Sequence, residues 1–352
     1  MNSCSCVPNF WFGEQKELNS TTNTKGMSGG RKITFDQVKN TYRPALMHHG
    51  GLSRDITQNL SDFVNNSCSI DAVKNLKDGS STCFNRNQLL KIVQEYNKKY
   101  PNNKIVGYSN AAKQQLWNMI NDKLNSACNG VEWCWLDQDF LSKSSEKYSL
   151  EAQFKPRGPK GTNDWLSTSN ISNAMRMYEK IYRGTFKFFG PLPIDFHDFI
   201  SEIKNISMRK LHNEGVHKIG IIFNLDPSYK GGSHWVAMYV DIKRGGVYYF
   251  DSYAESMGSP PKEIMALKDC IMKSLGKLHI TLGTQIVPVY ECNKIRFQYG
   301  NSECGVYSMY FILQMARGRS FEDVTDAILL DEEIRKFRSV YFRPKYKHSG
   351  RA

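Results

Sequence analysis

The pattern of hydrophobic and polar positions divides the chain into a polar start, a helical stretch and a longer mixed stretch. Residues 1–61 are rich in Asn, Ser, Thr and Gly and show no apolar period, which indicates a flexible segment. Residues 62–141 change to a helical period, and we predict a small helical arm there. The apolar positions of the arm fall on two helical faces: Leu89, Ile92, Val93 and Tyr96, and Leu116, Ile120, Leu124 and Ala127.

Residues 148–352 combine strand-like and helical patterns, and this length is enough for a proper core. Apolar runs or alternation predict strands at 218–224, 234–242 and 246–250, with a further β region at 278–298. A tight turn joins the second and third strands into a hairpin. Residues 186–196 should lead into a helix that ends near Met208, and helices are also predicted near 171–178, 260–276 and 306–316. The predicted class is α+β, with a mixed, mainly antiparallel sheet on a central helix and a basic C-terminal tail.

Cys304 stands directly before the most apolar of the predicted helices, Val306–Ala316. A thiol at a helix N-terminus meets the positive end of the helix dipole and unpaired backbone N–H groups, which favour the thiolate. Gly305 lets the backbone pack closely, and Gln298 offers a side-chain amide upstream. These are the parts of a nucleophile with an oxyanion hole, although Cys304 taken alone also fits a buried structural cysteine.

His234 opens the first strand of the predicted hairpin, and Asp251 follows the second. A tight turn places the start of one strand beside the end of the other, so we predict that these two residues are neighbours. A general base and its orienting carboxylate require that arrangement. Taken singly, His234 fits a polar strand end and Asp251 fits a turn residue. Together with Cys304 and Gln298 they predict a catalytic triad with an oxyanion donor.

Three short motifs, His-Trp at 234, Phe-Asp-Ser at 250 and Gln-x5-Cys-Gly at 298, carry a resemblance to a known family. They resemble the cysteine proteases that process SUMO-type modifiers, and the maturation proteases of adenoviruses and large cytoplasmic DNA viruses. The resemblance covers roughly residues 148–343 and keeps the family's chain order of His, Asp and Cys. It implies the roles of nucleophile, base, orienting carboxylate and oxyanion donor for Cys304, His234, Asp251 and Gln298.

Two tryptophans, Trp165 and Trp235, match residues that enclose the Gly-Gly of the substrate in a narrow tunnel in the modifier proteases. Trp165 begins Trp-Leu-Ser-Thr, which is similar to the family's Trp-Leu-Asn-Asp segment. Thr168 stands where the SUMO proteases have an Asp that helps to grip the modifier, and this departure disfavours a SUMO substrate. The helical arm and the basic charge are similar to features of giant-virus proteases with N-terminal extensions.

The formal net charge is +13. Seven basic residues and no acidic one occur from position 335 onwards: Arg335, Lys336, Arg338, Arg343, Lys345, Lys347 and Arg351. This charge favours nucleic acid or an acidic partner, but a solvated basic surface and tail explains it equally well. The two helices of the arm are likewise compatible with DNA binding or with simple packing.

Nine cysteines without a repeating framework indicate free thiols in a reducing compartment. A zinc set would need Cys68, Cys83, Cys128 and Cys134, but no CxxC pair occurs, so we predict neither a metal nor a cofactor. No apolar run approaches the roughly 20 residues that a membrane-spanning helix needs, so no membrane span is predicted.

The expected function is a thiol endopeptidase of a large DNA virus, acting in the virion and in the host cytoplasm. Its expected substrates are structural or core precursor polyproteins, cleaved after Gly-Gly-like sites during virion maturation. One alternative is a SUMO- or ubiquitin-like deconjugating protease. Another is a DNA-binding structural protein of the virion with a relict protease domain, which the intact set of four site residues disfavours.

Overall fold

The computed structural model describes residues 67–76, 81–159, 163–182, 184–254, 260–327 and 329–345. The predicted flexible segment 1–61 and the end of the predicted basic tail lie outside these residues. The described helices are α1 (Ile70–Val73), α2 (Arg86–Lys99), α3 (Lys113–Cys128), α4 (Glu132–Trp135), α5 (Asp139–Ser142), α6 (Lys147–Glu151), α7 (Thr168–Ile181), α8 (Ser201–Lys204), α9 (Met208–Asn213), α10 (Lys262–Thr281), α11 (Cys304–Ala316), α12 (Phe321–Asp326) and α13 (Asp331–Tyr341). The strands are β1 (Phe186–Pro193), β2 (Lys218–Asn224), β3 (Trp235–Asp241), β4 (Gly246–Phe250) and β5 (Val289–Cys292).

The five strands form one mixed sheet in the order β1 to β5. The central strands β2, β3 and β4 pair antiparallel, as the sequence predicts. At the two edges, β1 is added parallel to β2 and β5 is added parallel to β4. The predicted α+β class with a mixed sheet is confirmed, and the parallel edges are a feature that the sequence did not reveal.

Each face of the sheet packs against helices, because successive side chains of a strand point to opposite faces. On β3, Ala237 and Tyr239 belong to the buried cluster that contains α11 and α7. Val236 and Met238 belong to the cluster that contains α9 and α10. The helix α11 is buried along almost its whole length, which confirms the predicted central helix. Its first residue is Cys304, so the sheet and this helix together fix the position of the thiol.

Gly220 on β2 lets α11 approach the sheet closely. A Cβ atom at position 220 would lie 2.6 Å from Cγ2 of Ile312 and 3.0 Å from Cζ of Phe186. We expect Gly220→Ala to lower the free energy of unfolding by about 1–3 kcal/mol, because overpacking forces neighbouring groups to shift. Urea unfolding of the purified variant measures this change.

The matched control is Gly276→Ala within α10. A Cβ atom at position 276 would meet nothing nearer than Cγ of Pro288, at 4.0 Å. Since alanine is the better helix former, this variant should be more stable than the wild type by up to about 1 kcal/mol. Equal stability of the two variants would contradict the close packing of α11 on β2.

The predicted helices of the arm are present as α2 and α3. Asn85 caps α2 by accepting a hydrogen bond from the backbone N–H of Gln88, and the predicted apolar face of α2 is buried. On α3 the buried face includes Cys128, whereas the predicted Ala127 is exposed. The arm shares one buried cluster with α7, α11 and one face of the sheet, so it packs directly on the rest of the protein.

The cysteines of the arm are paired, which corrects the prediction of free thiols. Disulfides join Cys68 to Cys83 and Cys128 to Cys134, so these four residues cannot serve as zinc ligands. Cys270 is disulfide-bonded as well. Among the described residues, Cys292 and Cys304 are free thiols. The reducing compartment that we inferred from free thiols therefore loses that support.

A segment at 151–157 links the arm to the C-terminal part of the chain. Glu151 accepts a hydrogen bond from Nη2 of Arg343 at 2.9 Å. Lys155 is buried and donates from Nζ to the carbonyl oxygen of Ser339 at 3.1 Å. Burial disfavours its charged form and lowers the pKa of Lys155 to about 8. The segment is thus held against the end of α13 and against Arg343, which follows this helix.

Two segments fold differently from the prediction. Residues 186–193 form the edge strand β1 instead of leading into a helix. Pro191 breaks the strand pattern there, and the pairing of β1 with β2 shifts register between Phe189 and Leu192, as expected for a proline in an edge strand. The helix α10 continues to Thr281, so the β region predicted at 278–298 is reduced to β5.

Candidate active site

His234 and Asp251 meet at the open end of the β3–β4 hairpin, as the strand geometry predicts. Nε2 of His234 lies 2.7 Å from Oδ1 of Asp251, and both side chains are buried. The same carboxylate oxygen accepts the backbone N–H of Tyr253 at 2.8 Å. A carboxylate held in this way can fix the orientation and the tautomer of the imidazole.

Asn293, which follows β5, holds the backbone of Asp251. Oδ1 of Asn293 accepts the N–H of Asp251 at 2.9 Å, and its Nδ2 donates to the carbonyl oxygen of Asp251 at 2.7 Å. Because β5 runs parallel to β4, the ends of these two strands lie side by side. Sequence reasoning missed Asn293, since no local motif marks it and the parallel pairing was not predicted.

Cys304 is buried at the first position of α11, near enough to His234 for its side chain to raise the pKa of the imidazole. Since Nε2 of His234 binds the carboxylate, Nδ1 is the ring nitrogen that remains for the thiol. Gly305 allows this close placement, because a Cβ atom at position 305 would lie 3.2 Å from Cβ of Leu166 and 3.3 Å from Cδ1 of Ile171. The start of α11 therefore packs directly against the segment that leads into α7.

The charge of His234 is set by opposing influences. Burial disfavours the imidazolium and lowers the pKa of His234, but the hydrogen bonds and charges of Asp251 and Cys304 outweigh burial and raise this pKa to about 9. The imidazolium is therefore the favoured form at neutral pH. A cationic imidazole between a carboxylate and a thiolate is the arrangement in which a cysteine acts as a nucleophile.

Gln298 is fully buried beside this group of residues. Its Oε1 accepts a hydrogen bond from Oγ of Ser252 at 2.8 Å. Its Nε2 donates to the carbonyl oxygen of Gly300 at 2.9 Å and to the hydroxyl of Tyr253 at 3.2 Å. The ring of Tyr253 in turn stacks on His234, with ring centroids 4.7 Å apart. Both amide hydrogens are thus engaged within the protein, and the role of Gln298 as an oxyanion donor stays a prediction.

The segments that contain Trp165 and Trp235 are joined by a hydrogen bond. Nε1 of Trp235 donates to the carbonyl oxygen of Leu166 at 2.9 Å, and Trp235 is only 5 % exposed. Trp165, directly before Leu166, is 45 % exposed. Thr168 is the exposed first residue of α7. The hydrogen bond brings the two tryptophan-bearing segments to one place, and a substrate tunnel between them stays a prediction.

The described part of the predicted basic tail is folded, and its arginines have acidic partners. Arg335 and Arg338 lie on α13 and bind the carboxylate of Glu303, with Nε···O distances of 3.3 Å and 2.9 Å. Arg343 binds Glu151 at 2.9 Å. The first part of the predicted basic tail is therefore folded and ion-paired, and these three residues give no support to the prediction of nucleic-acid binding.

Neither a metal site nor a membrane-spanning helix is found in the described residues. No helix there is both long and apolar enough to cross a membrane. In the same residues, His, Cys, Asp and Glu side chains do not gather in a group of three that could hold a metal ion.

Comparison with known sequences gives matches that are described as proteases. A family model described as the Ulp1 protease family, C-terminal catalytic domain, matches residues 197–352. A protein of Acanthamoeba polyphaga mimivirus that is designated a thiol protease is 34% identical over 280 residues, covering 75% of this chain and 90% of the relative. A cysteine protease of African swine fever virus is 29% identical over 209 residues, covering 55% of this chain and 73% of the relative.

Comparison with solved structures agrees for the fold. A crystal structure of an African swine fever virus protease matches with a TM-score of 0.53 and 22% identity, covering 68% of this chain and 94% of that chain. A second crystal structure of an African swine fever virus protease matches with a TM-score of 0.52 and 20% identity, covering 79% of this chain and 96% of that chain. The chain is a cysteine peptidase. It belongs to the Ulp1 protease family, and the predicted resemblance to proteases of large DNA viruses is confirmed.

Proposed function

We propose that the protein is a thiol endopeptidase in which Cys304, His234 and Asp251 form the catalytic triad. The observation that carries the proposal is the buried 2.7 Å contact between Nε2 of His234 and Oδ1 of Asp251, with Cys304 near the same imidazole at the start of α11. A family of cysteine peptidases is the expected setting for such a group of residues.

In the proposed mechanism, the Sγ thiolate of Cys304 attacks the carbonyl carbon of the scissile bond, and a C–S bond forms as the oxygen becomes an oxyanion. When the C–N bond breaks, the imidazolium of His234 gives its proton to the leaving amine. A water molecule then attacks the thioester, His234 accepts a proton from it, and Cys304 leaves as the thiolate. Asp251 keeps the ring oriented and stabilises its charged form throughout.

The proposed donors to the oxyanion are the backbone N–H of Cys304 and the side-chain amide of Gln298. One donor of this kind is typically worth about 10²–10³ in rate. Gln298 must exchange one of its present hydrogen bonds, to Gly300 or to Tyr253, for a bond to the oxyanion. Gln298→Ala should therefore lower turnover and leave substrate binding nearly unchanged.

We further propose that the substrates are precursor polyproteins of a virion, cleaved after Gly-Gly sites in the virion or in the host cytoplasm. The viral relatives support this setting. The bond between Trp235 and Leu166, the neighbour of Trp165, supports a narrow substrate cleft. Two indoles that enclose the substrate backbone leave no room for a β-carbon, so glycine should be required directly before the cut.

A SUMO- or ubiquitin-like deconjugase is the second candidate function. Membership of the Ulp1 protease family favours it, and an African swine fever virus relative is named a SUMO-1 cysteine protease. Thr168 in place of the modifier-gripping Asp argues against it.

The two functions predict different results with a Gly-Gly-x peptide and with a SUMO fusion. We expect the short peptide to be cleaved, and replacement of its last glycine by alanine to lower kcat/KM by at least about tenfold, a usual effect of one unaccommodated methyl group. Mass spectrometry of both reactions measures the cut site, with Cys304→Ala protein as the blank. Cleavage of the fusion alone would favour the deconjugase, and acceptance of alanine would refute the narrow tunnel.

A further inference from the structure

Glu303 is a buried carboxylate directly before the proposed nucleophile. Its side chain is 1 % exposed and contacts Nε of Arg338 at 2.9 Å, Nε of Arg335 at 3.3 Å and the hydroxyl of Ser302 at 3.1 Å. An unpaired buried carboxylate is strongly disfavoured, and beside Cys304 it would also repel a thiolate. The positive charges of Arg335 and Arg338 therefore offset the cost of burying the carboxylate of Glu303 at the start of α11.

Arg338 does more than neutralise Glu303, because each of its three guanidinium nitrogens binds a different group. Nε binds the carboxylate of Glu303, and Nη2 donates to the carbonyl oxygen of Ser302 at 3.0 Å. Nη1 donates to the carbonyl oxygen of Asp164 at 2.9 Å. One planar group thus joins the residues before Cys304 to the residue before Trp165.

The segment around Trp165 is consequently held at both of its neighbours. The carbonyl oxygen of Asp164 is bound by Arg338, and the carbonyl oxygen of Leu166 is bound by the indole of Trp235. Trp165 itself is 45 % exposed, so these two backbone contacts and the packing of its buried neighbour Leu166 against Gly305 hold it in place.

We propose that Arg338 is a positioning residue that holds the Trp165 segment at a fixed distance from the backbone before Cys304, and so sets the width of the substrate cleft. This inference rests on the proposed function as a glycine-selective endopeptidase. Arg338 lies on α13, at the far end of the sequence, and touches no reacting atom; it acts through Ser302, Glu303 and Asp164.

The test compares Arg338→Lys with Arg335→Lys. A lysine at 338 keeps the positive charge for Glu303, but its single nitrogen cannot bind three groups in a fixed plane. We expect KM for a Gly-Gly-x peptide to rise about tenfold, and the preference for Gly over Ala before the cut to fall by a similar factor. Arg335 is 41 % exposed and binds Glu303 alone, so Arg335→Lys should stay within about twofold of the wild type.

The ratio of kcat/KM for the Gly and Ala peptides is the deciding quantity, because the fraction of active protein cancels in it. An unchanged ratio in folded Arg338→Lys, or an equal loss in both variants, would overturn the inference. If Arg338→Lys does not fold, the neutral double variant Glu303→Gln with Arg338→Gln serves the same comparison. A wild-type protein that cleaves neither peptide would instead refute the proposed function.

Discussion

Replacement of Cys304 by alanine is expected to abolish peptide cleavage, with a loss in kcat of at least about 10⁴-fold. The proposed reaction proceeds through a covalent bond between the substrate and Sγ of Cys304, and an alanine side chain cannot form such a bond. The substitution removes one buried sulfur atom at the start of α11, so the protein should remain folded. Steady-state cleavage of a Gly-Gly-x peptide and circular dichroism of the variant measure the two effects.

Cys292→Ala is the matched control, since Cys292 is the other free thiol among the described residues. It lies on β5 and is more exposed than Cys304, so exposure alone would make it the faster thiol to alkylate. Cys304, however, lies at a helix N-terminus near the imidazolium of His234, a setting typical of reactive thiols, so iodoacetamide should label Cys304 first at mild pH. Full activity in Cys304→Ala, or loss of activity in Cys292→Ala, would contradict the assignment of the nucleophile.

The contact between His234 and Asp251 could be predicted from the sequence because a short turn between two strands brings these residues together. Antiparallel strands joined by a tight turn have one register, so His234, directly before β3, must lie close to Asp251, directly after β4. The position of Cys304 could be predicted for a similar reason, because a long apolar helix must be buried against the sheet. In both cases the geometry depends on residues that are close in sequence or on a strong hydrophobic period.

The supporting residues could not be predicted in this way. Asn293 reaches Asp251 through a parallel pairing of β4 and β5, and Arg338 reaches Asp164 across 174 positions of sequence. Neither contact has a local pattern, because each depends on how distant elements pack. The disulfides of the arm are a related case, since cysteine spacing does not determine connectivity.

Three residues that the sequence did not reveal, Asn293, Tyr253 and Arg338, contact the proposed site from different elements of the fold. Asn293 fixes the backbone of Asp251, and Tyr253 stacks on His234 while its hydroxyl accepts a bond from Gln298. Arg338 fixes the backbone before Cys304. The backbone of Asp251, the ring of His234 and the backbone before Cys304 are thus each contacted by a further residue, and such support helps to maintain precise catalytic geometry.

Asp251→Asn is expected to lower kcat by about 10⁴-fold, because an amide can hold the ring of His234 in the wrong tautomer and cannot stabilise its charge. The matched control is Asp241→Asn, at the opposite end of β3, where Asp241 accepts a hydrogen bond from the backbone of Arg244. The control should keep wild-type activity, since an asparagine oxygen can accept the same bond. Steady-state kinetics of both variants measure the difference.

The pH dependence distinguishes loss of charge from simple loss of structure. Burial lowers the pKa of His234, and Asp251 and Cys304 together raise it to about 9, so the imidazolium persists up to that pH in the wild type. Activity should therefore fall above about pH 9, and the stabilising contribution of the charged pair, complete below about pH 6.5, should be lost as the pH rises through 9. Asp251→Asn removes one of the two groups that oppose burial, so the pKa of His234 and the alkaline limit of activity should both move to lower pH. An alkaline limit that stays near pH 9 in folded Asp251→Asn would show that Asp251 does not hold the charge of His234.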